Sequence, residues 1–390
     1  MKNEAHQAVI IAALRTPIAR AYGGLAMVDV EYLAATLIKS LLERTNVNEN
    51  DIDDVIIGNA AGGGGNLARL AALSAGLPFH VAGQTVDRQC GSGLEAIIQA
   101  CRLIEAGAGS FYLAGGAESI STAPWRIKRP KRLSDTPEFY KRARFSPDEI
   151  GDPDMGIAAE NIAQKFEISR ARQDAFALQS HERAMKALKN HIFEDEIIPV
   201  QTSLGLIQKD ESIREGLSFS TLSRLKPVFC QSGTVTAGNA CPLNDGAAMA
   251  LVTSQQKARE VGAKHVLSFI DSAVAGVDPN FLGIGPVAST QKLFKRQASL
   301  KLRDLTIIEF NEAFAVQVLA SLDQLNLDSS MVNQHGGAIA LGHPFGASGA
   351  ILVTRLLAQM KDLSDASLGL ATMGIGGGMG LSALFKPMHL

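Results

Sequence analysis

The chain has 390 residues, 46% hydrophobic and 19% charged, which is ordinary globular material with length enough for two or three domains. A formal net charge of −2 at pH 7 speaks against general nucleic-acid binding, and no uninterrupted apolar run reaches membrane-spanning length. The four cysteines, Cys90, Cys101, Cys230 and Cys241, follow neither a disulfide framework nor a CxxC metal pattern, so no metal site is expected. The opening "MKNEAHQAVIIAALRTP" is a polar lead into a strand rather than a basic region with a long apolar core, and a cytoplasmic location is expected.

Apolar, β-branched runs then alternate with helical patterns. Residues 8–13 and 54–58 predict strands, with an amphipathic helix over 30–45 between them. From about Ser119 to Asp245 the pattern changes to mixed helices and loops. This stretch includes the basic run "RIKRPKRLSDTPEFYKRAR", read either as a solvated loop or as a field that attracts a polyanionic ligand. Alternation returns with a strand over 265–275, a helix over 287–297 and a strand running into a loop over 305–315. Such alternation implies a mostly parallel sheet covered on both faces.

The two ends resemble each other. "DVIIGNAA" parallels "TIIEFNEA", which sets Asn59 against Asn311, and "CGSGLEAI" parallels "GASGAIL", each a small-residue loop opening an apolar helix. One αβ half therefore occurs twice, with Cys90, Asn311 and His343 at strand ends, where open α/β sheets bind ligands.

Three polar residues can carry chemistry. Cys90 stands at a strand–helix junction with glycine at 91 and 93, where backbone N–H groups and the positive helix end favour a thiolate. Cys101, within the apolar helix pattern, reads as core. His343 lies between Gly342 and Pro344 with little to pack against, and an imidazole near neutrality can take a thiol's proton. Asn311 either orients a water or donates to an oxyanion, or satisfies a turn. The terminal stretch "GLATMGIGGGMG" could pass for a phosphate cradle, but no helix or ribose-binding acid follows it. It predicts instead a tight strand–turn–strand, closed by a short strand over 381–385 before Pro387.

"DRQCGSGLEAI", "GTVTAGNACPLNDGAA", "NEAFAVQ", "NQHGGAIALGHPFGASGA" and the terminal "GGGMG" together resemble the thiolases, CoA-dependent enzymes that form or cleave 3-ketoacyl-CoA. The resemblance implies an α/β thiolase fold, two duplicated βαβαβαββ halves in αβαβα layers with an inserted loop domain. The implied division is 1–118, completed by about 246–262, for the N-terminal half, 119–245 for the loop domain over CoA and 263–390 for the C-terminal half. It further implies Cys90 as acyl-carrying nucleophile, His343 as its base, and Asn311 holding a water in one oxyanion hole. The N–H groups of Cys90 and Gly376 would form a second hole. Arg214 would lie near the CoA nucleotide, with Met155, Ala237 and Cys241 beside the pantetheine arm. CoA thioesters would be substrates with no tightly bound cofactor, and the protein a homodimer or homotetramer acting without nucleic acid or membrane. "DPDMG" at 152–156 is more similar to degradative than to biosynthetic members.

Two positions depart from the family. Cys241 replaces the usual serine, and Gly374 stands where a second cysteine should protonate the acetyl-CoA enolate or remove the α-proton. Glycine can do neither, so the Claisen step is expected to be weak, with Cys241 the candidate replacement thiol. The competing readings are a CoA-thioester-binding protein without turnover and a decarboxylating condensing enzyme with a Cys–His–Asn site.

Overall fold

The structure is a computed structural model that describes residues 3–132, 134–140 and 142–390; Leu133 and Lys141 of the basic run lie outside the described residues. The N-terminal part runs β1 (Ala8–Arg15), β2 (Ala19–Arg20), α1 (Val30–Thr45), β3 (Asp54–Gly58), α2 (Leu67–Ser74), β4 (Ala82–Val86), α3 (Ser92–Ala106) and β5 (Phe111–Glu118). The predicted amphipathic helix is α1. It buries Leu33, Leu37, Ile38 and Leu41 at helical spacing and ends where Asn46 turns into the left-handed region at φ 53°.

The middle segment holds two small hairpins, β6 (Arg126–Lys128) with β7 (Glu138–Tyr140) and β8 (Val200–Thr202) with β9 (Gly205–Ile207). Its helices are α4 (Met155–Lys165), α5 (Arg170–Lys189) and α6 (Phe219–Ser223). Then come β10 (Asn244–Ser254), α7 (Gln255–Glu260), β11 (His265–Gly276), α8 (Gly285–Arg296), β12 (Leu305–Phe310), α9 (Ala315–Leu325), α10 (Ala338–Leu341), α11 (Phe345–Met360), β13 (Leu368–Ile375) and β14 (Met379–His389).

The strands lie in the order β12-β13-β14-β11-β1-β10-β5-β3-β4. This order reads as two equivalent sets meeting at β1 and β11, which share two residue pairs. β3 lies between β4 and β5 as β12 lies between the Val332 bridge and β13; β10 and β14 are the long strands that follow. One apolar core joins α3 and α11, through Leu94, Ile97, Ile351 and Leu356, to strands of both sets. A second packs α1 and α2 on the N-terminal set, and a third packs α8 and α9, with α4 and α5, on the C-terminal set. These are the five layers of an αβαβα arrangement. The central helices cross closely: a Cβ on Gly93 would meet the Gly346 carbonyl at 2.6 Å, and one on Gly349 the Leu94 nitrogen at 2.5 Å.

Two expectations are corrected. The sheet is mixed rather than mostly parallel: β3 pairs in parallel with β4 and β5 and β12 with β13, while β10, β14, β1 and β11 pair antiparallel. β10 arrives from the loop-rich segment and β14 from a tight turn, so neither has the crossover helix that a parallel neighbour needs. The closing strand is also longer than expected. β14 runs through Pro387, which is tolerated because β13 pairing stops at Phe385 and only β11 remains alongside.

Candidate active site

The strand–helix junction after β4 is a sharp turn stitched by one hydroxyl. Gln89 takes a left-handed φ of 49°; Ser92 Oγ donates to the Gln89 carbonyl at 2.5 Å and accepts from the Arg88 N–H at 2.8 Å. Cys90 is thereby presented at the tip, partly exposed, with the first turn of α3 behind it.

His343 reaches the same point from the other half. Gly342, at φ 119°, lies against the Asn244 amide, whose Oδ1 accepts the His343 N–H at 2.9 Å. The imidazole is 2% exposed, with Nδ1 2.6 Å from Ser348 Oγ and Nε2 3.3 Å from Cys90 Sγ. Ser348 Oγ also donates to the Pro344 carbonyl at 3.1 Å. A hydroxyl has one proton, so with that proton on Pro344 it accepts from Nδ1–H, which assigns the free lone pair to Nε2, facing the thiol.

The electrostatics overturn two expectations. Burial, then the Glu118 charge, push the Cys90 thiol up to about 12, outweighing the N–H groups of Cys90 and Gly376 that hydrogen-bond to the sulfur. The helix end therefore does not yield a resting thiolate. Burial also lowers His343 to about 4, so it is not poised near pH 7. The resting pair is a neutral thiol against a neutral imidazole, and a proton must move as the sulfur attacks.

Gly376 opens the turn between β13 and β14, where Gly377 and Gly378 take φ 84° and 79°. This is the predicted strand–turn–strand, and what its main chain approaches is the Cys90 sulfur. Asn311 follows β12, 1% exposed; its N–H donates to the Thr372 carbonyl at 3.1 Å and its Nδ2 has no partner among the described residues. Its counterpart differs: Asn59 Nδ2 donates to Glu118 at 2.7 Å and to the Ala117 carbonyl at 2.9 Å. One copy of the repeat thus uses this asparagine in the fold, while the other leaves the amide free for a ligand oxygen. Asn311 and Ser348 both line a cavity of about 20 Å³, room for one water.

Cys241 donates its N–H to the Ala313 carbonyl at 3.0 Å, beside the Asn311 loop, and two residues on Leu243 bridges to His343. Cys90, His343, Gly376 and Cys241 thus form one cluster with Asn311 at its edge. The remaining candidates stand on other elements. Ala237 is exposed in the turn closed by the Thr236 N–H on Asn239 Oδ1 at 2.8 Å, and Met155 begins α4. Arg214 is exposed and lines a cavity of about 420 Å³ with His181, Lys186 and Lys189 of α5.

Ser348, Asn244, Glu118 and Gln317 are absent from the candidates read from sequence. Only Ser348 had a readable signal, its place one turn into the helix after His343.

Residues 8–256 match the family model for the thiolase N-terminal domain and 263–387 that for the thiolase C-terminal domain. The chain belongs to the thiolase family. It is 47% identical over 382 residues to the Staphylococcus epidermidis protein named "Putative acetyl-CoA C-acetyltransferase VraB", covering 97% of this chain and 98% of that one. The protein of the same name in Staphylococcus aureus strain COL is 46% identical, with 97% and 99% covered. Among solved thiolase-fold structures, the Bacillus anthracis acetyl-CoA acetyltransferase superposes with a TM-score of 0.91 at 35% identity, covering 98% of this chain and 99% of that one. All four cysteines are free thiols, and among the described residues no helix is long and apolar enough to cross a membrane.

Proposed function

We propose that this thiolase moves an acetyl or acyl group between CoA and an acetyl-CoA or 3-ketoacyl-CoA partner through an acyl-enzyme on Cys90. The observation that carries the reading is the 3.3 Å approach of His343 Nε2 to Cys90 Sγ, with Nδ1 tied to Ser348. Nε2 takes the thiol proton as sulfur adds to the thioester or ketone carbon. The N–H groups of Cys90 and Gly376, already aimed at the sulfur, are placed to receive an oxyanion beside it. The Asn311 amide, with no other partner, holds a water in the second oxyanion site with His343. Segment 119–245 serves as the loop domain over CoA, between the halves 1–118 with 246–262 and 263–390. Arg214 lies toward the nucleotide end, where its cavity gathers Lys186 and Lys189, a setting suited to phosphate. Met155, Ala237 and Cys241 flank the pantetheine arm. The protein acts in the cytoplasm as a homodimer or homotetramer.

Position 374 supplies no proton to the carbon–carbon step. A positioned acid–base is worth about 10²–10⁴-fold, whereas acylation of Cys90 needs none there. With acetyl-CoA, intact-mass analysis is expected to show one acetyl group on Cys90, and acetoacetyl-CoA thiolysis measured alongside to be the slower of the two, by up to that factor where no other group stands in for position 374. Thiolysis as fast as acylation would remove the slow-step reading. Absence of any adduct would favour a binder without turnover, and consumption of malonyl-CoA a decarboxylating condensing enzyme.

The acylation rate should also persist in mild acid. The base works as neutral imidazole, and burial lowers its pKa from the usual 6.5 to about 4, so the working form survives until pH falls through about 4. No alkaline rise is expected near pH 9, because the thiol titrates only near 12. Single-turnover acetylation rates across this range test both limbs; an acid limb centred on 6.5 would contradict the buried imidazole.

A further inference from the structure

The space that a side chain at position 374 would take is already filled. A Cβ on Gly374 would meet Gln317 Nε2 at 2.5 Å, and that nitrogen is buried without a hydrogen-bond partner among the described residues. Gln317 is 2% exposed, and an amide can donate a hydrogen bond to an oxygen but cannot exchange a proton near neutrality. Proton transfer must come from another wall.

Cys241 stands on that wall. Its N–H is anchored on the Ala313 carbonyl at 3.0 Å, Ala240 bridges to Phe314, and Leu243 bridges to His343, whose Nε2 is 3.3 Å from Cys90 Sγ. The segment 240–243 therefore runs between the Asn311 loop and the catalytic imidazole, and the two thiols lie close enough that a charge on Cys90 acts on Cys241. Cys241 is partly exposed, so the site reaches it. Two buried donors without partners, Asn311 Nδ2 and Gln317 Nε2, belong to the loop and helix adjoining it, where a bound thioester oxygen would satisfy them.

We infer that Cys241 is the acid–base thiol of the carbon–carbon step, in the role that position 374 cannot fill; this rests on the Cys90 acyl-enzyme reading. In cleavage, Cys90 sulfur gives its proton to His343 and adds to the C3 ketone of the 3-ketoacyl-CoA. The C2–C3 bond breaks and its electron pair passes to C2, which takes the Cys241 S–H proton. Acetyl-CoA leaves, with the acyl group on Cys90 and a thiolate at Cys241. That thiolate removes the proton of an incoming CoA thiol, CoA sulfur attacks the acyl carbon, and the departing Cys90 recovers its proton from His343. Condensation is the reverse. Burial, with the charge of Glu312 adding to it, holds the Cys241 thiol protonated at rest, the form that cleavage requires.

Cys241→Ser keeps size and shape but loses the thiol. It is expected to lower acetoacetyl-CoA thiolysis, and deuterium exchange into acetyl-CoA in heavy water, by about 10²-fold or more, while an unchanged thermal unfolding midpoint and a Cys90 that still acquires an acetyl group report an intact fold and nucleophile. Adding Gly374→Cys to Cys241→Ser is expected to recover part of the thiolysis as the Gln317 amide swings aside; a cysteine needed only for packing would not be rescued this way. Unchanged thiolysis in Cys241→Ser would overturn the inference. So would a parent protein that acetylates Cys90 yet shows neither thiolysis nor exchange. A parent that fails to acetylate Cys90 would overturn the acyl-enzyme reading as well.

Discussion

Cys90→Ala and His343→Ala are each expected to lower acetyl transfer from acetyl-CoA by about 10⁴-fold or more, and the double variant by no more than either alone. The electrostatics of the pair set the scale. With the thiol near 12, only about one part in 10⁵ is thiolate at pH 7. Without the imidazole, attack must draw on that fraction. Alanine at 343 should leave the scaffold in place, because Asn244 holds the backbone N–H of residue 343 and Ser348 still has the Pro344 carbonyl. Alanine at 90 removes one partly exposed sulfur, and the turn remains stitched by Ser92. Single-turnover acetylation followed by intact mass, with thermal unfolding as control, measures the effect. A His343→Ala loss below about tenfold would mean that another base serves Cys90, and additive losses would mean that the two do not act as one unit.

The parts of this molecule legible in the sequence are those written in short-range pattern. The helix of Leu33, Leu37, Ile38 and Leu41 follows from spacing alone, and the repeat that aligns Asn59 with Asn311 reappears as equivalent strand ends. The glycines around Cys90 and His343 marked small-residue loops that open α3 and α11, and the terminal glycines a tight strand–turn–strand, as the structure has them. What the sequence withheld is set by long-range packing. Strand direction was misjudged because β10 and β14 look like any apolar strand, and only their helix-free approach makes them antiparallel. The charge states of Cys90 and His343 were misjudged because helix ends and unperturbed pKa values are local, whereas desolvation depends on which distant segments close over the site. Ser348 and Asn244 act through a hydroxyl and an amide carbonyl, groups too common along the chain to mark themselves. Gln317 was invisible for a further reason: its meaning is the space beside a glycine, and no spacing rule encodes an occupied space.

Glu118→Ala is expected to destabilise the fold by about 3–5 kcal/mol, the summed cost of several N–H donors left without their acceptor. The carboxylate ends β5 with no exposure, and it accepts four hydrogen bonds. Oε2 takes the N–H groups of Ala60 and Gly346, each at 2.9 Å; Oε1 takes the Ala61 N–H at 3.1 Å and Asn59 Nδ2 at 2.7 Å. Three of these donors belong to the loop after β3 and one to the first turn of α11, three residues beyond His343. The side chain therefore clamps the N-terminal half to the segment that carries the base from the other half. Alanine leaves the N–H groups of Ala60, Ala61 and Gly346 without that acceptor, at up to about 1–3 kcal/mol apiece before relaxation, while Asn59 Nδ2 keeps the Ala117 carbonyl. Glu118→Gln separates clamp from charge. It retains one acceptor oxygen, so its cost in urea unfolding should fall between parent and alanine. It also removes the negative charge that helps raise the Cys90 thiol, so Cys90 should become more acidic and its alkylation by iodoacetamide faster at pH 8. Unfolding midpoints unchanged in Glu118→Ala would show that the four bonds are dispensable. Slower alkylation in a folded Glu118→Gln would show that the carboxylate acts on Cys90 through position rather than charge.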